Sequence, residues 1–192
     1  IGSISYIKYN LKNLKNNFLA GFIVTCVGDN GKFSILKPKN ENCVSYKTSL
    51  KVLKDTNVKF KLISFLKRGS DERQYSWPGV DLNFTSIMRT KYGSYKEYHT
   101  SLDNLSFISS KNIKETLKLY IKIINKINKS LFPQTISICE PFYENKNFID
   151  YNSAVEVRLI NNFLIYSDGL TSIEELSGIL KINSTKCMNI YK

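Results

Sequence analysis

One histidine, one tryptophan, two methionines and four prolines are all that 192 residues contain of those types. The scarcity of histidine bears directly on metal chemistry. A catalytic zinc takes three ligands from protein, so a lone imidazole must be joined by carboxylates or by ligands from elsewhere. The four cysteines, Cys26, Cys43, Cys139 and Cys187, lie far apart without a Cys-x-x-Cys pair. That argues against a zinc knuckle or a dense disulfide framework and makes reduced thiols in a cytoplasmic protein the expectation. No apolar run nears the ~20 residues that cross a membrane. No signal-peptide pattern opens the chain either, because Lys8, Lys12 and Lys15 interrupt its first segment. Acids are also few: 16 Asp and Glu face 28 Lys and Arg, for a net charge of +12. Clustered lysine attracts phosphate. Here, however, lysine and asparagine are enriched in every kind of segment, with no Arg-rich run and no aromatic-basic RNA-binding pattern. Nucleic acid is a partner that the charge allows without favouring.

What is present suffices for a core. Hydrophobic residues make up 42% and aromatics 12%, which argues against global disorder. Residues 4–18 carry Ile4, Ile7, Leu11, Leu14 and Phe18 at helical spacing, and the β-branched run 22–27 reads as a buried strand closed by a turn at Gly28-Asp29-Asn30-Gly31. Residues 44–53 read as helix with Tyr46, Leu50 and Leu53 inward. Val58, Phe60 and Leu62 alternate with Lys59 and Lys61 as in a half-buried strand, and 84–88 is a further strand. Residues 111–130 give the clearest helix, with Ile113, Leu117, Tyr120, Ile124 and Ile127 as its inner stripe. Outside lies a row of Lys114, Lys118, Lys122 and Lys126, a solvated face or a phosphate contact. Strand-helix alternation predicts an α/β layered domain over 1–138. From 139 to 192 three short helices, at 154–166, 171–180 and from Ser184 onward, suggest the front of a helix-turn-helix or winged-helix unit, joined by a linker around 143–150. Thr171 or Ser172 is the expected cap of the middle helix. The chain opens on Ile1 and stops inside a helical pattern at Lys192, so a piece of a longer protein is expected.

Residues 68–107 hold the chemistry-bearing side chains. His99 sits in a polar loop between Tyr98 and Thr100, four positions before Asp103, where a carboxylate can orient an imidazole. Ser70-Asp71-Glu72 reads either as a helix start, with Ser70 as cap and two acids suiting the dipole, or as carboxylates facing a metal or a substrate amine. Arg89, ending its strand, can hold a carboxylate or oxyanion, or form a surface ion pair. Asp29 is a turn residue or a ligand.

Several of these segments together carry a resemblance: Gly69-Ser70-Asp71-Glu72-Arg73-Gln74-Tyr75, Pro78-Gly79, Met88-Arg89-Thr90, and Glu97-Tyr98-His99-Thr100-Ser101 with Asp103-Asn104-Leu105. They are similar to the aminopeptidase-like proteins of the co-catalytic zinc exopeptidase superfamily, whose relatives include bacterial leucyl aminopeptidases and glutaminyl cyclases. The resemblance implies part of a three-layer α/β/α domain, followed by a truncated winged helix at Ser167-Asp168-Gly169 and 173–180. It also implies zinc as cofactor and hydrolysis of an amide bond in a peptide-like or small-molecule substrate. His99 would be the last zinc-binding histidine, Asp103 its loop partner, and Asp71, Glu72 and Arg89 catalytic or substrate-facing groups. Glu72 stands where the relatives have His. Thr25 stands where they have a ligand Asp, a loss that Asp29 would make good. The family's general base, its first histidine and its bridging aspartate would precede residue 1. The rival readings are a non-catalytic nucleic-acid-binding or regulatory protein on a degenerate peptidase fold, and a pseudoenzyme scaffold.

Overall fold

The computed structural model describes residues 1–141 and 154–192, so the expected linker around 143–150 lies outside the described residues. Two compact units are present, Ile1–Ile127 and Asn128–Lys192.

The first unit is built on a mixed sheet. Its strands are β1 (Phe22–Ile23), β2 (Phe33–Leu36), β3 (Phe60–Ile63) and β4 (Thr85–Met88), in the spatial order β1-β4-β2-β3. β1 runs parallel to β4 and β2 parallel to β3, while β2 and β4 are antiparallel. Every β4 side chain is buried, and Ile35, Leu36, Ile87 and Met88 are at most 1% exposed. Burying each such side chain contributes about 1.5–3 kcal/mol. Three buried hydroxyl residues of β2 and β4 are satisfied locally. Ser34 donates to Arg89 O, Thr85 to Leu36 O and Ser86 to Ile23 O, at 2.7–2.8 Å. β2 is absent from the sequence expectation, although it forms the middle of the sheet. β3 also differs: Ile63 is buried, Leu62 is 51% exposed and Phe60 is half-buried, so the alternation does not mark the buried face along this strand.

Helices α1 (Gly2–Asn17), α2 (Val44–Asp55), α3 (Glu72–Tyr75) and α4 (Ser110–Lys129) complete this unit as far as Ile127. After α1, Phe18, Phe84 and Tyr75 stack with centroids 5.3 and 4.0 Å apart. Gly21 lies under Phe84, whose ring carbons would be 2.6 Å from any added Cβ. α4 is rotated from its expected orientation. Its buried side chains are Asn112, Thr116, Leu119, Tyr120, Ile123 and Ile127. Ile113, Leu117 and Ile124 are exposed instead. Polar bonds fix the rotation: Asn112 donates to Asn30 Oδ1 at 2.7 Å, Thr116 to Val27 O at 3.0 Å, and Tyr120 Oη to Ile87 O at 2.9 Å.

The second unit contains α5 (Ala154–Ile165), α6 (Ile173–Ile179) and α7 (Ser184–Tyr191) around Phe163, Ile173, Leu176 and Cys187. Ser172 caps α6, and its capping box with Glu175 is complete. The chain enters this unit before the expected 138/139 boundary. Ile173 N bonds Leu131 O, Gly169 N bonds Pro133 O and Thr135 N bonds Ser167 O, so residues 131–135 are already tied to it.

Candidate active site

β1 and β4 are parallel and end side by side, and the loops that follow them enclose a pocket of about 450 Å³. Thr25, Cys26, Gly28 and Asp29 come from the loop after β1. Tyr95, Tyr98, His99, Asp103 and Phe107 come from the loop after β4. Backbone bonds Arg89 N to Cys26 O and Ser109 N to Gly28 O, both 2.9 Å, hold the two loops together. Ser70 reaches the pocket by another route. Beyond β3 the chain turns through the 3-10 segment Phe65–Lys67, and Gly69 N then donates to Tyr92 Oη at 2.8 Å.

His99 is exposed, has a left-handed backbone (φ 57°) and stacks on Tyr98 with ring centroids 3.9 Å apart. Cys26 on the opposite wall is also left-handed, at φ 51°. Non-glycine residues held this way cost of order 1 kcal/mol or more, and such strain collects at functional sites. Tyr95 Oη donates to Cys26 Sγ at 3.3 Å, and its ring stacks on Phe107 at 5.3 Å. Burial, then the bond to Cys26, pushes the Tyr95 hydroxyl well above its ordinary value, so it stays protonated. Neither Cys26 nor Tyr95 was expected from the sequence. The Tyr95-x-x-Tyr98 spacing is a weak hint of the aromatic wall, whereas a left-handed cysteine has no sequence signal.

The other expected site residues have structural duties. Asp29 is 3% exposed. Its Oδ1 accepts from Gly31 N at 2.7 Å and Thr90 Oγ1 at 2.5 Å, while Oδ2 accepts from Thr90 N at 3.1 Å. It pins the turn after β1 to the end of β4, and a Cβ on Gly31 would overlap the Thr90 hydroxyl. Arg89 is 6% exposed. It pairs with Glu115 at 2.6 Å, donates to Gly31 O and Asn112 O, and covers the Phe33 ring, 4.6 Å from its centroid. Asp71 is exposed, is not among the residues that line the pocket although its neighbour Ser70 is, and accepts from Ser3 Oγ at 2.9 Å. Ser70 does not cap α3, whose N-cap is Asp71 without a side-chain bond. Glu72 is fully buried. Its Oε1 accepts from Gly69 N and Ser70 N at 2.9 Å and Tyr92 Oη at 2.6 Å. Its Oε2 has no partner among the described residues. Burial first, then the Glu72 bond, keeps the Tyr92 hydroxyl far from ionising.

The structure therefore brings His99, Asp103, Asp29 and Ser70 to one pocket and leaves Asp71, Glu72 and Arg89 outside its lining. Zinc needs at least three protein donors. Among the described residues no group of three or more His, Cys, Asp or Glu side chains is placed to hold a metal. These residues by themselves do not fit a zinc centre.

The DUF4910 profile, a domain of unknown function, matches residues 1–130. The chain belongs to the DUF4910 family. A Clostridium acetobutylicum relative, provisionally named a polysaccharide biosynthesis protein with aminopeptidase-like domain, is 36% identical over 142 residues. The match takes in 73% of this chain and 32% of that protein. A crystal structure from the same organism, provisionally named a peptidase, superposes with a TM-score of 0.65 at 28% identity. It covers 98% of this chain and 42% of the other, so this DUF4910 chain spans less than half of either relative. Its mixed α/β fold is peptidase-like. No helix among the described residues is long and apolar enough to cross a membrane.

Proposed function

We propose that this chain carries one wall of the active site of an aminopeptidase-like hydrolase of amide bonds, acting on a peptide or a small amide. The observation that carries the proposal is the convergence of His99 and Asp103, with Ser70 and Asp29, on one pocket at the carboxyl ends of two parallel strands. Open α/β sheets place their ligands there. The names borne by the two relatives support the same reaction class.

Zinc is the proposed cofactor, with His99 as a donor and Asp103 beside it. The remaining donors and the general base would come from residues outside this chain, which covers 32% of its curated relative. Asp29 and Glu72 serve as braces: one holds the β1 loop to β4, the other fixes the Gly69-Ser70 backbone that forms a pocket wall. The Tyr95 hydroxyl, held neutral by burial, donates to Cys26 Sγ within the pocket lining. The cytoplasm is the proposed compartment, in keeping with four free cysteines, and α5–α7 are proposed as a winged-helix appendage.

The rival reading, a non-catalytic nucleic-acid binder, rests on the +12 charge. One pair of variants in the full-length protein separates the two, using release of an aminoacyl anilide and binding of a DNA duplex. His99→Ala should abolish hydrolysis, and Lys114→Glu with Lys118→Glu should leave it nearly intact, since exposed charges contribute little. If His99 proves dispensable while the lysine changes weaken duplex binding and flatten its salt dependence by about one unit of slope per lost phosphate contact, the hydrolase reading is wrong.

A further inference from the structure

The sheet edge farthest from β1 is strongly basic. A groove of about 930 Å³ runs along β3 and the end of β4, lined by Lys32, Lys59, Lys61, Lys67, Arg89 and Lys91, with no acid in its lining. Arg89 is committed to Glu115, and Lys91 Nζ donates to Tyr92 O at 2.9 Å. Lys32, Lys59, Lys61 and Lys67 are exposed, and among the described residues no carboxylate is paired with them.

β3, all of which lines this groove together with the start of β2, also has an open backbone edge. β3 is the outermost strand of the sheet. Lys37 N bonds Ile63 O, so Ile63, and Lys61 two residues earlier, turn their backbone groups toward β2. Phe60 and Leu62 then turn their N–H and C=O groups outward. Among the described residues no strand pairs with this edge.

We propose that β3 receives an acidic peptide in extended form, added as a further strand with its carboxylates against the lysines. Strand addition takes affinity from backbone bonds and specificity from alternate side chains. Lys59 and Lys61 project from one face at the two-residue period of a strand, which matches acids at alternate positions of a guest. Lysine on an edge also serves to discourage pairing with other strands. That role does not call for Lys32, Lys67 and Lys91, which come from other segments and converge on the same groove. Nor does it oppose an acidic strand, which the lysines attract. Single-stranded nucleic acid fits less well, since it needs aromatic platforms. Phe33 is already covered by Arg89, and Phe60 is half-buried. An acidic polysaccharide has no amide ladder to offer the edge.

The test measures binding, so it is independent of any hydrolysis. A capped, fluorescein-labelled peptide of alternating glutamate and valine is titrated into the 192-residue chain, with fluorescence anisotropy as the readout. Two control peptides carry glutamine for glutamate, or N-methyl groups on the valines. Heparin and single-stranded DNA are competitors of similar charge. Saturable binding is expected. It should weaken about tenfold in each control peptide and about tenfold in Lys59→Glu/Lys61→Glu protein, with Lys59→Gln/Lys61→Gln in between. Lys114→Glu/Lys118→Glu protein, altered on α4, should bind as the parent does. No binding, or equal binding of the N-methylated peptide, overturns the proposal. So does displacement by heparin or DNA at lower charge concentration than by unlabelled peptide, which would make the groove a general polyanion surface.

Discussion

Replacing Glu72 with alanine tests whether the pocket wall is held by one buried carboxyl group. Glu72 is fully buried, and its Oε1 accepts from Gly69 N, Ser70 N and Tyr92 Oη. In Glu72→Ala the Gly69 N–H keeps Tyr92 Oη as acceptor at 2.8 Å. The Ser70 N–H and the Tyr92 hydroxyl each lose the acceptor that Glu72 provides. Two stranded donors at about 1–3 kcal/mol each, with a small cavity, put the cost on the order of 3 kcal/mol. For a protein of this size that is a fall of roughly 6–12 °C in Tm. Glu72→Gln retains an acceptor for all three donors and adds one unpartnered amide where Oε2 lies, so it should cost only about 1–2 kcal/mol. Tyr92→Phe should not rescue the alanine defect, because it removes the stranded hydroxyl but also the acceptor left to Gly69 N–H. The two changes should still be less than additive, since either one breaks the Tyr92–Glu72 bond, giving a coupling of about 1–2 kcal/mol in the double-mutant cycle. Urea denaturation of the parent, the three single variants and the Glu72→Ala/Tyr92→Phe double variant, followed by circular dichroism, supplies every number. An alanine cost below about 1 kcal/mol, or additivity within ~0.3 kcal/mol, would show that Glu72 does not brace the wall.

Burial pushes the Tyr120 hydroxyl up to about 12 from its ordinary 10.0. The fold therefore favours the neutral form, so stability should hold below pH 10 and fall between pH 10 and 12 as the unfolded chain ionises first. Tyr120→Phe should remove about 2–3 kcal/mol of that fall, leaving the shares of Tyr46, whose hydroxyl burial also raises to about 12, and of Tyr92 and Tyr95, which burial likewise keeps protonated. Ser172→Ala should destabilise the second unit by about 1 kcal/mol, read from thermal melts, because it breaks the capping box with Glu175. Gly31→Ala should cost more than an ordinary surface change, since its methyl group would meet Thr90 and Asp29. Equal melting of this variant and the parent would mean that the turn is looser than its bonds imply. The 192-residue chain should lose zinc on dialysis against a chelator, because its described residues offer too few ligands in one place; retained stoichiometric zinc would contradict that.

Much of the fold was legible because its signals are local. Apolar spacing located α1, α2 and α4, and Ser172 with Glu175 announced the start of α6. Tertiary bonds overrode the pattern elsewhere. Periodicity cannot show that Asn112 and Thr116 would be drawn inward by Asn30 Oδ1 and Val27 O, turning Ile113 and Leu117 outward on α4. β2 was missed because Phe33-Ser34-Ile35-Leu36 lacks strict alternation, and its Ser34 is buried by a bond to Arg89 O rather than by apolarity. Along β3 alternation was present, but Ile63 rather than Leu62 meets Leu36, Met88 and Tyr92 in the core.

The site was legible as residue types and less so as roles. His99 and Asp103 were identifiable because an exposed polar loop after a strand is where open sheets place chemistry, and both line the pocket. Asp29, Glu72 and Arg89 have equally functional chemistry but are almost wholly buried, at 3%, 0% and 6% exposure. A buried charged or acidic group is tolerated only when its bonds are made within the protein. Two of the three meet that demand with backbone amides or carbonyls of the very loops that shape the pocket, and Glu72 with the Gly69 and Ser70 amides. The same bonds that hold a carboxyl oxygen in place for bracing reduce its capacity to bind a metal. In this chain, then, the acids that sequence motifs mark most strongly shape the pocket, and the more exposed His99 and Asp103 remain free to work in it.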